Sequence, residues 1–101
     1  MRIVNAEEFN EIIKEGTTVV DFYADWCGPC KMLGPVLEQL SEELPEIKFI
    51  KVNVDDEMDL AQDLGIMSIP AVFLFKDGEA VSQSVGLKPI DLMRQFVLSA
   101  E

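Results

Sequence analysis

The order in which short apolar runs and helix-like segments follow one another constrains the fold of this chain most strongly. Val19–Ala24 and Ile47–Val54 are short runs rich in β-branched or aromatic residues, as is typical of buried strands. Between them, leucine and valine recur at steps of three and four residues from Leu33 to Leu44, which predicts a helix. A strand, a helix and a second strand in succession indicate a parallel pair of strands.

The N-terminal part of the chain begins this alternation. Ile3–Val4 predicts a short strand, and Asn5 followed by Glu8 has the spacing of a capping box at the start of a helix. Gly16 suits the end of that first helix. The second helix is expected to begin near Cys30.

The C-terminal part ends the alternation with a hairpin. Met58–Leu64 predicts a short helix and Ala71–Phe75 an apolar strand. The turn Lys76-Asp77-Gly78-Glu79 favours a hairpin that returns along Ala80–Val85, and Pro89 fits the first turn of a last helix. The predicted order is β-α-β-α-β-α-β-β-α, an α/β fold in which the late hairpin adds antiparallel strands.

Length and charge narrow the class of protein. A chain of 101 residues has room for one hydrophobic core, so we expect residues 1–101 to form a single domain, with a monomer as the default state. The net charge is −11 and Lys and Arg form no cluster. These features argue against binding to nucleic acid or to an anionic membrane surface, because both are negatively charged.

The distribution of apolar residues predicts the cellular compartment of the protein. Met1–Glu8 contains neither the apolar core nor the cleavage pattern of a secretory signal. The longest apolar run, Ile69–Phe75, is too short to span a bilayer. The sequence therefore predicts a cytoplasmic protein, in a compartment where thiols are kept mostly reduced.

Two cysteines and no histidine limit the chemistry that one chain can perform. A structural zinc site or an iron–sulfur cluster needs four ligands, which these cysteines do not supply. A metal shared between two chains stays open, although we expect no metal. The absence of histidine also removes the Ser-His and Cys-His pairs of nucleophilic catalysis.

The cysteines lie in the segment Asp25-Trp26-Cys27-Gly28-Pro29-Cys30-Lys31, between a predicted strand and a predicted helix. A Cys-x-x-Cys pair in this position is typical of a redox site. Cys27 is expected at the helix N-terminus, where free N–H groups and the helix dipole stabilise a thiolate. Cys30, one turn further on, is close enough to form a disulfide and is expected to be the more shielded of the two.

A disulfide that merely staples the fold is the alternative. Stabilisation by a disulfide grows with the length of the loop, and this short loop offers roughly 2 kcal/mol against about 4.7 kcal/mol for a loop of 100 residues. A reducing compartment also disfavours a staple. Neither Gly28 nor Pro29 adds a charge that stabilises the thiolate, so the pair is expected to act as a reductant.

Several spaced motifs resemble those of the thioredoxin family. They cover almost the whole chain in the family's order: Val20-Asp21-Phe22-Tyr23-Ala24, Trp26-Cys27-Gly28-Pro29-Cys30-Lys31, Lys51-Val52-Asn53-Val54-Asp55, Gly65-Ile66-Met67-Ser68-Ile69-Pro70, Phe75-Lys76-Asp77-Gly78 and Val85-Gly86. The sequence departs from the commonest family pattern at Tyr23, where Trp is frequent, and at Ala71, where Thr is frequent.

The resemblance implies a thioredoxin fold, with a central mixed sheet of five (or four) strands flanked by four helices. It implies reduction of disulfides in client proteins through the Cys27–Cys30 pair, with no bound cofactor. A thioredoxin reductase, linked to NADPH or to ferredoxin, is the implied partner that restores the dithiol. A glutathione-using glutaredoxin is disfavoured by Gly28-Pro29, and a purely structural use of the fold as an assembly subunit stays open.

Asp21 interrupts an apolar strand. Val20, Phe22 and Ala24 indicate a central strand and therefore a buried carboxyl group, whose pKa is raised when no full partner is present. The resemblance implies that Asp21 lies beneath the disulfide and relays protons. Lys51, on the next strand of the sheet, is the expected neighbour, although its spacing alone fits an ordinary surface lysine.

Pro70 begins a strand after Ile69. Peptide bonds before proline are usually trans, but the resemblance implies a cis bond that faces the disulfide. The backbone of Ile69 is then free to pair with an extended client segment. An apolar docking surface is expected from Trp26, Gly28, Pro29, Ser68, Ile69, Pro70, Val85, Gly86 and Leu87; the alternative for Ile69 and Leu87 is a place in the core.

Overall fold

The computed structural model describes residues 1–100. In these residues the strands and helices follow one another in the predicted order. The strands are β1 (Arg2–Ile3), β2 (Thr17–Tyr23), β3 (Lys48–Asn53), β4 (Ala71–Lys76) and β5 (Glu79–Val85). The helices are α1 (Ala6–Ile12), α2 (Gly28–Glu43), α3 (Met58–Asp63) and α4 (Ile90–Leu98). None of the helices in this described part is long and apolar enough to cross a membrane.

The strands form one mixed sheet in the order β1-β3-β2-β4-β5. β3 pairs in parallel with β1 and with β2, whereas β4 runs antiparallel to β2 and to β5. The prediction of a mixed five-stranded sheet with four helices is therefore confirmed. Every residue of β2 is buried, because this strand lies at the centre of the sheet.

Each face of the sheet has its own apolar core. On one face Phe9 of α1 packs edge-on against Phe75, with ring centroids 5.2 Å apart. On the other face Leu33 and Leu37 of α2 pack with Met93 of α4, and all three side chains are fully buried. Burial of each leucine stabilises the fold by about 1.5–3 kcal/mol, so this second core holds α2 firmly on the sheet.

The helix ends follow local sequence signals with three differences. Helix α1 ends at Ile12 with Ile13 as its C-cap, so Gly16 lies beyond the helix end that it was expected to form. Asn5 and Glu8 form the predicted capping box at the start of α1. Helix α2 begins at Gly28, earlier than expected, because Cys27 serves as its N-cap and Pro29 suits its first turn. Pro89 is the N-cap of α4 and does not lie within its first turn.

Candidate active site

The two cysteines form a disulfide where β2 passes into α2. Their Cα atoms are 5.2 Å apart. Cys27 has extended backbone angles as the N-cap of α2, and its Sγ accepts a hydrogen bond from the backbone N–H of Cys30 at 3.2 Å. This N–H and the dipole of α2 will stabilise a thiolate on Cys27 after reduction.

Exposure does not distinguish the two cysteines. As whole residues, Cys27 is 4% exposed and Cys30 is 5% exposed, so these values do not show the expected greater shielding of Cys30. Both residues pack with Tyr23 and Ala24 in a small cluster at the end of β2. What distinguishes the two is the N-cap position of Cys27 and the N–H group that points at its sulfur.

The loop before β4 lies against the disulfide. The peptide bond between Ile69 and Pro70 is cis, as the resemblance implied. The carbonyl oxygen of Ile69 lies 3.9 Å from the Sγ of Cys27. The N–H of Gly86 donates to the carbonyl oxygen of Pro70 at 2.8 Å, which joins the loop after β5 to the same site.

The residues of the predicted docking surface differ in exposure. Trp26 is 71% exposed, and Gly28, Pro29, Ser68, Val85 and Leu87 are also exposed. Ile69 and Gly86 are half-buried, and Pro70 is buried. Trp26, Ser68 and Ile69 line one cleft of about 550 Å³. Leu87 is 43% exposed, so it is not a core residue.

Sequence reasoning missed three residues beside this cleft. Met58 and Met67 line it, and the side chain of Met67 is almost fully exposed. Asp55 accepts a hydrogen bond from the indole N–H of Trp26 at 2.9 Å, which orients the ring. Asp55 lies within a motif that carried the family resemblance, whereas an isolated methionine gives no functional signal in a sequence.

Asp21 is the one fully buried carboxyl group in the described part of the chain. Neither of its oxygens has a hydrogen-bond partner there. Burial raises the pKa of Asp21 to about 6, and the nearby charge of Lys51 opposes this rise. Lys51 is the register partner of Asp21 on β3, so the predicted burial and the predicted neighbour are both confirmed.

A disulfide at the N-terminus of a helix, set on a mixed five-stranded sheet beside a cis proline, defines a dithiol–disulfide oxidoreductase. In residues 1–100 no group of three or more Cys, Asp or Glu side chains is arranged to hold a metal ion. The redox group at this site is the pair of cysteines itself.

Comparison with known proteins agrees with this class. The family model for thioredoxin matches residues 1–99. The thioredoxin of Chlamydia caviae is 46% identical over 97 residues, covering 96% of this chain and 95% of that protein. The thioredoxin of Bacillus subtilis is 44% identical over 100 residues, with 96% of each chain covered. A solved structure of Plasmodium falciparum thioredoxin superposes with a TM-score of 0.93 at 32% identity, and both chains are covered completely.

This chain belongs to the thioredoxin family. It is a protein-disulfide oxidoreductase that works through a redox-active disulfide. Members of the family act on disulfide substrates and are reduced by a thioredoxin reductase. The family resemblance inferred from the spaced motifs is confirmed.

Proposed function

We propose that this protein is a general reductant of client protein disulfides, with Cys27 as the attacking cysteine and Cys30 as the resolving one. The observation that carries this assignment is the hydrogen bond from the N–H of Cys30 to the Sγ of Cys27 at the start of α2. A thiolate is the attacking species in disulfide exchange, and this position stabilises the thiolate on Cys27 only.

The reaction proceeds through a mixed disulfide. The Cys27 thiolate attacks one sulfur of the client disulfide, and the other client sulfur leaves as a thiolate. Cys30 then loses its proton and attacks the Sγ of Cys27, so that the client's second thiolate leaves and the Cys27–Cys30 disulfide closes. Two electrons pass to the client, and a thioredoxin reductase linked to NADPH or to ferredoxin restores the dithiol.

Asp21 is proposed to accept the proton of Cys30 through water. Its pKa of about 6 leaves the carboxyl group mostly ionised at neutral pH yet basic enough to exchange protons. A groove of about 800 Å³ is lined by both Cys30 and Lys51, so water in the groove can reach Cys30. In this proposal Lys51 tunes the charge beside Asp21.

Clients are proposed to dock in an extended form against the loop that holds Ile69. The backbone of Ile69 pairs with the client segment, and the exposed rings of Trp26 and Pro29 cover its apolar side chains. The remaining members of this surface are proposed to be Gly28, Ser68, Pro70, Val85, Gly86 and Leu87. We further propose that residues 1–101 act as one domain, as a monomer, in the cytoplasm.

The test is to trap the mixed disulfide. Cys30→Ser should attack client disulfides and stop at the covalent complex, whereas Cys27→Ser should capture almost no client. Each reduced variant is incubated with cell extract, and captured proteins are counted on non-reducing gels. Equal capture by the two variants would overturn the assignment of the cysteines. Capture of a single partner by Cys30→Ser, together with failure of the native protein to reduce insulin, would favour an assembly subunit.

A further inference from the structure

The ammonium group of Lys51 does not contact the carboxyl group that it faces. Its Nζ lies 4.3 Å from the centroid of the Tyr23 ring. Asp21 is the register partner of Lys51, yet neither Asp21 oxygen accepts a hydrogen bond within residues 1–100. The positive charge that acts on Asp21 therefore lies over an aromatic ring, although the buried carboxyl group is on the neighbouring strand.

The strand geometry explains how this arises. Asp21 and Tyr23 are two residues apart on β2, so both side chains lie on the same face of the sheet. Tyr23 belongs to the same buried cluster as Cys27 and Cys30. The side chain of Lys51 thus starts opposite Asp21, and its ammonium group ends beside Tyr23.

We propose that Tyr23 is a positioning residue, which holds the Lys51 ammonium group over its ring and keeps it from forming an ion pair with Asp21. The attraction between the cation and the ring quadrupole is strengthened here because Tyr23 is only 8% exposed. This inference rests on the proposed role of Asp21 as the group that exchanges protons with Cys30.

An unpaired Asp21 is the better base. A direct ion pair with Lys51 would favour the charged carboxylate and lower the pKa of Asp21, which would weaken its hold on a proton from Cys30. Tyr23 prevents this pairing while leaving the lysine charge close by. Tyr23 thereby sets how strongly Lys51 acts on Asp21.

Other charged groups surround this arrangement. The groove that Lys51 shares with Cys30 is lined on the α2 side by Lys31, Glu38 and Glu42. Burial raises the pKa of the Tyr23 hydroxyl, and the charges of Asp25 and Asp56, in the loops that follow β2 and β3, raise it further. On the β4 side the register partner of Asp21 is Val72, which carries no charge.

The experiment measures the titration of Asp21 by NMR of a ¹³C-labelled carboxyl group in the oxidised full chain, where neither cysteine titrates. Tyr23→Phe keeps the ring face and should leave the Asp21 pKa within about 0.3 of the native value. Tyr23→Leu removes the ring, and the Asp21 pKa should fall by about one unit or more as Lys51 pairs with the carboxylate. Tyr23→Met serves as the second ring-free variant if Tyr23→Leu does not fold.

The control combines Tyr23→Phe and Tyr23→Leu, each in turn, with Lys51→Met. Without the ammonium group, Tyr23→Leu should no longer lower the Asp21 pKa. An unchanged or higher Asp21 pKa in Tyr23→Leu would overturn the inference. An equal fall of the Asp21 pKa in the Lys51→Met background would also overturn it, because it would indicate entry of water.

The proposed role of Asp21 is tested separately by the rate of insulin reduction in Asp21→Asn. An unchanged rate there would remove that role and leave the position of Lys51 unaffected.

Discussion

Replacement of Asp21 by Asn is expected to stabilise the protein at neutral pH. Asp21 is fully buried and has no hydrogen-bond partner among residues 1–100, and its pKa is about 6 in the folded chain against an ordinary value of 3.8. Each unit of difference corresponds to about 1.36 kcal/mol, so the ionised carboxylate costs about 3 kcal/mol of folding free energy at pH 7. The amide group introduced by Asp21→Asn carries no charge and avoids this cost.

The contribution of Asp21 to the free energy of unfolding depends on pH, and its sign follows from the two pKa values. Below the unfolded pKa the carboxyl group is protonated in both states, and Asp21 costs no electrostatic energy. Between about pH 4 and pH 6 the folded state binds more protons than the unfolded state, so the stability that depends on Asp21 falls as the pH rises. Above about pH 6 both states are ionised and the full cost persists.

The assay is urea unfolding of the oxidised native protein and of Asp21→Asn at pH 4 and pH 7. The variant should be more stable by about 3 kcal/mol at pH 7 and nearly equal to the native protein at pH 4. Asp25→Asn is the matched control, since Asp25 is exposed and its replacement should change stability by less than about 0.5 kcal/mol at either pH. A difference that does not depend on pH, or a loss of stability at pH 7, would refute the argument.

Two further predictions concern Trp26 and the start of α1. Trp26 is the only tryptophan and adjoins Cys27, so its fluorescence should change strongly on reduction of the disulfide; the Cys27→Ser/Cys30→Ser variant should show no change with reductant. An unchanged native spectrum would contradict this. Asn5→Ala should lower the free energy of unfolding by about 1 kcal/mol in urea titrations, because the N–H of Glu8 loses its acceptor. An unchanged unfolding midpoint would show that the capping box adds no stability.

Local signals were sufficient to predict the order of the elements. The turn at Asp77 and Gly78 has positive φ angles of 49° and 92°, as expected for a tight hairpin. The capping residues of α1 were also predictable, because their hydrogen bonds lie within four residues of one another. The order of the strands in the sheet was not available from these signals, since pairing such as that of β1 with β3 depends on contacts distant in the sequence.

The parts of the candidate site that could be predicted are those marked by the type and spacing of residues in the sequence. The spacing of Cys27 and Cys30 and the charge within an apolar strand at Asp21 were both readable in the sequence. The equal burial of the cysteines was not, because it depends on how Tyr23 and Ile69 pack around the disulfide. The position of the Lys51 ammonium group could not be predicted from the sequence either, because it depends on the direction that a long side chain takes.

The mixed sheet brings the distant parts of the site together. β2 ends at Tyr23, just before Cys27, and β4 runs antiparallel to it, so the start of β4 at Ala71 lies beside the end of β2. β5 is antiparallel to β4 in turn, and Val85 pairs with Ala71. The loops that carry Cys27, Ile69 and Gly86 therefore meet at one edge of the sheet. An all-parallel sheet would place the start of β4 at the opposite edge, so the antiparallel β4 is what brings the cis proline to the disulfide.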